Sequence, residues 1–156
     1  MSTPHDFDFL HGEWDIINRR LLNYLDPDSG WEEFPATHWC RSLHDGAANI
    51  DEMSCPTKGF KGVTLRLFDR ETEDWHLYWS PSQTGTLFPP VIGRFGADRR
   101  GEFQGDDTYR GEDVRVRYLW SVLSQTAAHW EMAFSPDGGQ TWVRNWTMDF
   151  TRRPAS

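Results

Sequence analysis

The amino-acid sequence predicts an all-β protein in which one antiparallel sheet of about eight to ten strands closes into a barrel. Apolar and polar residues alternate in short segments along the chain, and turn-forming residues separate these segments at regular intervals. No long segment has the period of about 3.6 residues that marks an amphipathic helix. We expect closure because it leaves no sheet edge exposed. A length of 156 residues suits a single domain, which we expect to span residues 1–156.

The first third of the chain is predicted to contain a plug and three strands. Phe7, Phe9 and Leu10 are apolar residues near the start that we expect to close one end of the barrel. The turn-forming residues of DPDSG and DG then separate the first three strands. The predicted bounds are 1–11 for the plug and about 13–24, 31–43 and 47–53 for the strands.

The rest of the chain is predicted to contain a hairpin, a loop, a short meander and a final hairpin. The loop over 80–90 contains prolines, is too irregular for a strand interior, and is expected at the mouth of the barrel. Residues 152–156 are expected to be a frayed tail. The predicted strands are 62–69, 75–80, 91–95, 101–110 and 114–123, followed by the two strands of the hairpin over 129–150.

The final hairpin is the strongest local signal in the sequence. Its Pro-Asp-Gly-Gly turn at 136–139 supplies the positive φ that a tight turn needs. If strict alternation continues from this turn, Ala133 lies opposite Arg144 and Glu131 lies opposite Trp146. The pattern therefore predicts that Glu131, Arg144 and Trp146 share one face of the hairpin, toward the barrel interior.

Charge and composition exclude several classes of function. The formal net charge is −8, and the basic residues form no stripe of the kind that binds nucleic acid. The chain has no apolar run of about twenty residues, and its acidic N-terminal segment lacks the pattern of an export signal. We therefore expect a cytoplasmic protein with reduced Cys40 and Cys55 and without nucleic-acid or membrane partners. The expected partner is a small molecule, and homodimerisation is left open.

Seven segments carry a resemblance to a known family, and they cover nearly the whole chain in order. They are FDFLHGEWDIINRRL at 7–21, LHDGAANIDE at 43–52, GVTLRLFD at 62–69, WHLYWS at 75–80, PPVIGRF at 89–95, GDDTYRGEDVRVRYLW at 105–120 and WEMAFSPDGGQTWVRNWTMDFTR at 130–152. Together they resemble the DUF1579-type bacterial proteins, whose function is uncharacterised. The resemblance implies a lipocalin-like (calycin) β-barrel and, because the family has no common assigned activity, no particular function.

Gly12, Glu13 and Trp14 are similar to the Gly-x-Trp signature of lipocalins, in which the tryptophan lies inside the closed end of the barrel. Only this position of Trp14 is carried over from the similarity. It sets the phase of the first strand. The residues that this phase turns inward are Trp14, Ile16, Asn18 and Arg20.

Glu131 is the first candidate for chemistry. A glutamate that faces a barrel interior is costly to bury in its charged form, so it either pairs with a cation or takes a raised pKa. A raised pKa would suit Glu131 to general acid or base catalysis near neutral pH. The alternative is a structural role, in which Glu131 pairs with Arg144 or accepts a hydrogen bond from a tryptophan indole.

Arginines on the alternating segments are the second set of candidates. Arg66 would share a face with three apolar residues of the next strand, which are Trp75, Leu77 and Trp79. An inward Arg20 or Arg66 could hold the carboxylate of a flat acid or stabilise developing negative charge. The alternative is that these arginines point outward and solubilise the barrel. That alternative is favoured for Arg117, because Val116, Tyr118 and Trp120 make a better inner face.

Histidine and cysteine positions predict neither a metal site nor a cofactor. No histidine pair has the spacing of a zinc enzyme, and no His/Cys cluster resembles a structural zinc site. Haem-binding barrels of the nitrobindin type need a proximal histidine, which the last predicted strand lacks. His38 lies on a predicted strand, where it is either a proton shuttle or a core histidine satisfied by hydrogen bonds.

Three hypotheses for function follow from the sequence. The first is a barrel that binds a flat apolar or aromatic molecule as a carrier or sensor. The second is a cofactor-independent enzyme of natural-product metabolism, catalysing a cyclisation, isomerisation or condensation such as a Pictet–Spengler reaction, with Glu131 as general acid or base and Arg20 or Arg66 assisting. The third is a structural or interaction protein with a filled barrel. The predicted ligand-binding residues are Trp14, Asn18, His38, Trp79, Tyr118, Trp120, Arg144 and Trp146.

Overall fold

Ten antiparallel strands close into a barrel in the computed structural model, which describes residues 2–154. The strands are β1 (Gly12–Leu21), β2 (Trp31–Leu43), β3 (Ala48–Cys55), β4 (Phe60–Asp69), β5 (Asp74–Pro81), β6 (Val91–Phe95), β7 (Arg100–Tyr109), β8 (Glu112–Val122), β9 (Ala127–Ser135) and β10 (Val143–Arg152). Each strand pairs with its neighbours along the chain, and β1 pairs with β10 to complete the ring. The predicted closed all-β barrel is confirmed.

Side chains alternate between the interior and the outer surface along each strand, as the sequence pattern predicts. On β1, Trp14, Ile16 and Asn18 are buried, whereas Asp15 and Ile17 between them are exposed. The predicted phase of this strand is therefore confirmed. Helical structure in the described residues is confined to two three-residue 3-10 turns, and no helix there is long and apolar enough to cross a membrane.

The N-terminal residues form the predicted plug at one end of the barrel. Phe7 and Leu10 are fully buried, and the Phe7 ring lies edge-on to the rings of Trp75 and Phe95 at centroid distances of 4.9 and 5.0 Å. Trp14 packs beneath this plug, and its indole Nε1 donates a hydrogen bond to the Leu10 carbonyl oxygen at 2.9 Å. Trp14 thus lies at the closed end, where the lipocalin signature implies it.

Strand β10 extends to Arg152, so the predicted start of the frayed tail at this residue is wrong. The guanidinium carbon of Arg152 lies 4.2 Å from the centroid of the Trp14 ring. The guanidinium donates hydrogen bonds to three backbone carbonyl groups, those of Phe9, His11 and Gln125. These contacts fasten the end of β10 to the plug. Ala155 and Ser156 of the predicted tail, and Met1 of the predicted plug, lie outside the described residues.

A β-bulge in β10 changes the register of the final hairpin. Arg144 has its predicted partner on β9, but Trp146 lies opposite Met132 because the bulge at Asn145 adds one residue to β10. An extra residue of this kind shifts the alternation of one strand relative to its neighbour. Trp146 therefore faces the interior together with Met132. The predicted pairing of Glu131 with Trp146 is wrong.

Substitution of Arg152 by methionine tests the link between β10 and the plug. We expect Arg152→Met to lower the free energy of unfolding by about 2–3 kcal/mol, because it removes charge-assisted hydrogen bonds to carbonyl groups of the plug. Urea unfolding followed by far-UV circular dichroism measures the change. Arg153→Met is the matched control, since Arg153 makes an exposed ion pair with Asp15 at 2.9 Å and should change stability by less than about 1 kcal/mol. Equal losses in the two variants would contradict the role given to Arg152.

Candidate functional site

A cavity of about 390 Å³ lies inside the barrel and opens at the end opposite the plug. This volume falls within the range of small-molecule sites, which is roughly 300–1,000 Å³. Three residues of the loop between β5 and β6, Gln83, Thr84 and Phe88, line the outer part of the cavity. The predicted position of the 80–90 loop at the mouth of the barrel is therefore confirmed.

Aromatic rings form much of the cavity wall. Trp130 and Trp146 lie nearly perpendicular to each other at a centroid distance of 5.8 Å, and Trp79 meets Trp146 edge-on at 6.3 Å. Tyr118 packs edge-on against Trp130 at 5.0 Å. Trp79 covers Gly62, where a Cβ atom would lie only 1.8 Å from the indole. The rings thus hold one another in place around an open space.

Seven of the predicted site residues line this cavity. They are Arg20, His38, Arg66, Trp79, Tyr118, Trp120 and Trp146. Arg66 pairs with Leu77 across β4 and β5 and shares its face with Trp75 and Trp79, as expected. Arg117 was expected to point outward, and its guanidinium carbon lies 4.4 Å from the ring of Trp142, outside the cavity.

Trp14 and Asn18 face inward but do not line the cavity, so their prediction as ligand contacts is wrong. Trp14 is buried at the closed end, where it is hydrogen-bonded to Leu10 of the plug. Asn18 is fully buried, and its Oδ1 accepts a hydrogen bond from the indole Nε1 of Trp146 at 2.9 Å. Asn18 therefore positions a wall tryptophan from behind.

Glu131 and Arg144 lie on the outer face of the barrel, because the bulge in β10 reverses their predicted phase. The Glu131 carboxylate lies 3.0 Å from Nε2 of His129 and 3.4 Å from Nη1 of Arg144. The Arg144 side chain is 59% exposed. The prediction that these two residues act inside the barrel is wrong. The ion pair between them, weighed above as the structural alternative, does form, but at the surface.

A buried group of polar side chains lies at the inner end of the cavity, and we call His38, Asn49, Asp51 and Arg66 the polar floor. The Asp51 Oδ2 atom lies 2.9 Å from Nε2 of His38 and 2.7 Å from Nη2 of Arg66. Its Oδ1 atom accepts a hydrogen bond from the Thr64 backbone N–H at 3.1 Å. Arg66 also donates from Nη1 to Asn49 Oδ1 at 2.8 Å. One carboxylate therefore joins side chains of β2, β3 and β4.

Electrostatics keep Asp51 ionised. Burial alone would raise the pKa of this carboxyl group, but the charges and hydrogen bonds of Arg66 and His38 outweigh burial and lower the pKa to about 2. Burial raises the pKa of the neighbouring Cys40 thiol to about 12, against the opposing effect of Arg66, so Cys40 stays a neutral thiol. Burial also raises the pKa of Tyr118, which keeps its phenol protonated in the cavity wall.

The plug and a wall tryptophan enclose Arg66. Its guanidinium carbon lies 5.2 Å from the centroid of Phe7 and 5.7 Å from that of Trp120. Several buried nitrogen atoms around the floor lack a hydrogen-bond partner within the described residues. They are Nδ1 of His38, Nδ2 of Asn49, Nε of Arg66 and Nε1 of Trp120. The polar floor thus has unused hydrogen-bonding capacity next to a cavity.

Arg20 lies at the mouth, where its charge already has a partner. Its Nη2 atom lies 2.8 Å from Oε1 of Glu32, and Lys58 contacts the other carboxylate oxygen at 2.9 Å. The guanidinium carbon of Arg20 lies 4.9 Å from the centroid of Trp146. Arg20 therefore packs on the wall by a cation–π contact.

Asp51 and Asn49 are functional candidates that the sequence interpretation missed. Both lie at alternate positions of β3, and Met53 follows at the next inward position. That alternation was a usable signal, because it turns a carboxylate inward on the strand next to His38. Among residues 2–154, no group of three or more His, Cys, Asp or Glu side chains is arranged to hold a metal ion.

Substitution of Asp51 by asparagine tests the charge network. At pH 7 we expect Asp51→Asn to lose about 3–5 kcal/mol of unfolding free energy, because Arg66 is left with an uncompensated buried charge. The folded pKa of Asp51 is depressed from 3.8 to about 2, so the stability that its ionisation contributes is present above about pH 4 and is lost as the pH falls through 2.

The native protein and Asp51→Asn should therefore differ less in their free energies of unfolding at low pH. We expect this difference to shrink by about 2 kcal/mol between pH 5 and pH 2. Urea unfolding across this pH range measures it. Glu52→Gln is the control, since Glu52 is the next residue on β3 and points to the outer face. If the difference in unfolding free energy stays constant with pH, the pH-dependent stability does not come from the ionisation of Asp51.

No protein-family model matches the chain, and no curated protein sequence matches it. Among solved structures, the S-type phycobiliprotein lyase CPES from Guillardia theta is similar, with a TM-score of 0.64 and 10% sequence identity. The match covers 100% of this chain and 95% of that one. At this identity the similarity concerns the fold. The chain has the lipocalin-like (calycin) β-barrel fold.

Proposed function

We propose that this protein binds a small, flat and largely apolar molecule inside its barrel, as a carrier or sensor. The observation that carries the proposal is the cavity of about 390 Å³ walled by Trp79, Trp130 and Trp146. Aromatic walls with a few convergent polar groups are typical of sites for small organic ligands. A protein with a purely structural role would be expected to fill this volume with side chains.

The comparison with the Guillardia theta protein is consistent with this proposal. A barrel of the same architecture serves there as a phycobiliprotein lyase, so the fold is compatible with small-molecule chemistry. We also propose that the chain is a relative of the DUF1579-type proteins, on the seven segments quoted above. Neither relation specifies the ligand.

Occlusion of the cavity tests the proposal. The probe is N-phenyl-1-naphthylamine, a neutral two-ring amine whose fluorescence rises in an apolar site. We expect the native protein to bind this probe. Met132→Trp should weaken binding at least tenfold, because the larger side chain occupies cavity volume. Glu131→Trp is the matched control, since it places the same side chain one residue away on the outer face.

The titration has two results that would contradict the proposal. The first is an absence of saturable binding to the native protein. The second is equal weakening by the two tryptophan substitutions, which would place the bound probe outside the barrel. Melting temperatures of both variants show whether each is folded at the temperature of the titration.

A cofactor-independent enzyme is the second candidate, and the pairing of His38 with Asp51 favours it. Because Nε2 of His38 faces the ionised Asp51 carboxylate, the neutral form of the imidazole would carry its proton on Nε2 and leave Nδ1 as an acceptor. His38 could therefore remove a proton from a bound substrate while Asp51 stabilises the resulting imidazolium. An isomerisation, cyclisation or condensation that begins with proton transfer fits this arrangement. His38 takes the role that the sequence had suggested for Glu131.

His38→Gln separates the enzyme from the carrier. Bound compounds are recovered from the native protein and analysed by mass spectrometry for chemical change. If a compound is converted, we expect His38→Gln to slow conversion by about 100-fold or more and to retain binding, because glutamine keeps a hydrogen bond to Asp51 but cannot accept the proton. His129→Gln, on the outer face, is the control. Full turnover in His38→Gln would eliminate the mechanism.

A further inference from the structure

The unpartnered groups around the polar floor are mostly hydrogen-bond donors. Arg66 Nε, Trp120 Nε1 and Asn49 Nδ2 each carry hydrogen and are buried without a partner within residues 2–154. Burial of a donor without an acceptor is unfavourable, so such groups call for an explanation. Arg66 and Trp120 both line the cavity, and the guanidinium carbon lies 5.7 Å from the indole centroid. Two of the unused donors are therefore on neighbouring side chains at the inner end of the site.

The charge of Arg66 is already balanced by that of Asp51. Nη2 of Arg66 lies 2.7 Å from the Asp51 carboxylate, and both side chains are only 4% exposed. A carboxylate on the ligand would lie close to the Asp51 carboxylate, and the two like charges would repel each other. A neutral acceptor brings no charge into the barrel. The expectation from the sequence that Arg66 holds a carboxylate is thus disfavoured, because Asp51 occupies that role.

We infer that the polar floor binds a neutral carbonyl oxygen, of the ketone, aldehyde or amide type, at one end of the ligand. The two lone pairs of this oxygen accept hydrogen bonds from Arg66 Nε and Trp120 Nε1. The flat ring system of the ligand lies among the tryptophans toward the mouth, so the ligand enters oxygen first. This inference rests on the proposed function, and it names the chemical class of the ligand and its direction.

Three naphthalenes of nearly equal shape test the inference. They are 2-acetylnaphthalene, 2-naphthoate and 2-isopropenylnaphthalene, which carry a neutral acceptor, an anionic acceptor and no acceptor. Each is titrated against the native protein at pH 7 by displacement of N-phenyl-1-naphthylamine. We expect the ketone to bind at least tenfold more tightly than the carboxylate, because the carboxylate is repelled by the Asp51 carboxylate.

Trp120→Phe removes one donor and keeps an aromatic ring. The measured quantity is the ratio of the affinity for the ketone to the affinity for the hydrocarbon, in which general packing losses cancel. We expect Trp120→Phe to lower this ratio by about three- to tenfold, the effect of one neutral hydrogen bond. Trp130→Phe is the matched control, because it makes the same change elsewhere in the wall and should lower both affinities without changing the ratio.

An infrared measurement tests the hydrogen bond in the native protein, independently of how well the variants fold. The carbonyl stretch of bound 2-acetylnaphthalene, labelled with carbon-13 at the carbonyl, is compared with its value in hexane. We expect a shift to lower wavenumber, because donors on the carbonyl oxygen weaken the C=O bond. A stretch equal to that in hexane would overturn the inference.

The remaining outcomes separate the inference from the proposed function. If the hydrocarbon binds and the ratio is the same in Trp120→Phe as in the native protein, the barrel is a binding site but its floor donors are satisfied by water, and the inference is wrong. Tighter binding of 2-naphthoate than of the ketone also overturns the inference and leaves the proposed function standing. If none of the three compounds displaces the probe and the probe itself does not bind, the proposed function fails.

Discussion

The pairing of β1 with β10 is the constraint on which the rest of the barrel depends. It closes the sheet, so that each of the ten strands described within residues 2–154 has a partner on both sides. The seam runs from the pair of Trp14 and Arg152 at one end to the pair of Arg20 and Trp146 at the other. The first pair fastens the plug to the closed end, and the second sets a guanidinium against a wall tryptophan at the mouth. A single strand pairing therefore positions both ends of the cavity.

The ion pair of Asp51 and Arg66 gives the interior its polarity. Buried ion pairs contribute little net stability compared with well-packed apolar residues, because desolvation offsets the attraction. In this protein the pair holds neighbouring polar groups in place. Here the carboxylate of Asp51 lies within hydrogen-bond distance of His38 and Arg66, which belong to the two neighbouring strands. The result is a set of buried polar groups whose positions are defined by one another.

The alternation of apolar and polar residues predicted the fold and much of the site. Such alternation shows only whether a side chain faces the interior or the outer surface of the barrel. It placed Arg66 with Trp79, and the structure agrees. The alternation does not show how deep in the barrel a side chain lies. Trp14 and Asn18 were therefore expected to contact a ligand, although the plug covers Trp14 and Trp146 covers Asn18. The bulge at Asn145 has no sequence signature and reversed the phase on which the interpretation of Glu131 relied. The alternation of β3 turned Asp51 inward, but it did not show the partners on two other strands that make burial of this carboxylate favourable.

The concentration of indole rings around the cavity has an optical consequence. Trp79, Trp120, Trp130 and Trp146 all line the same space. Excitation energy absorbed by one indole can pass to another at such short separations, and any flat guest whose absorption overlaps indole emission becomes the final acceptor. Binding of such a guest would quench the ultraviolet fluorescence of the barrel by resonance energy transfer. For a guest of this kind the tryptophans would therefore report binding directly, with no need for a dye or a covalent label.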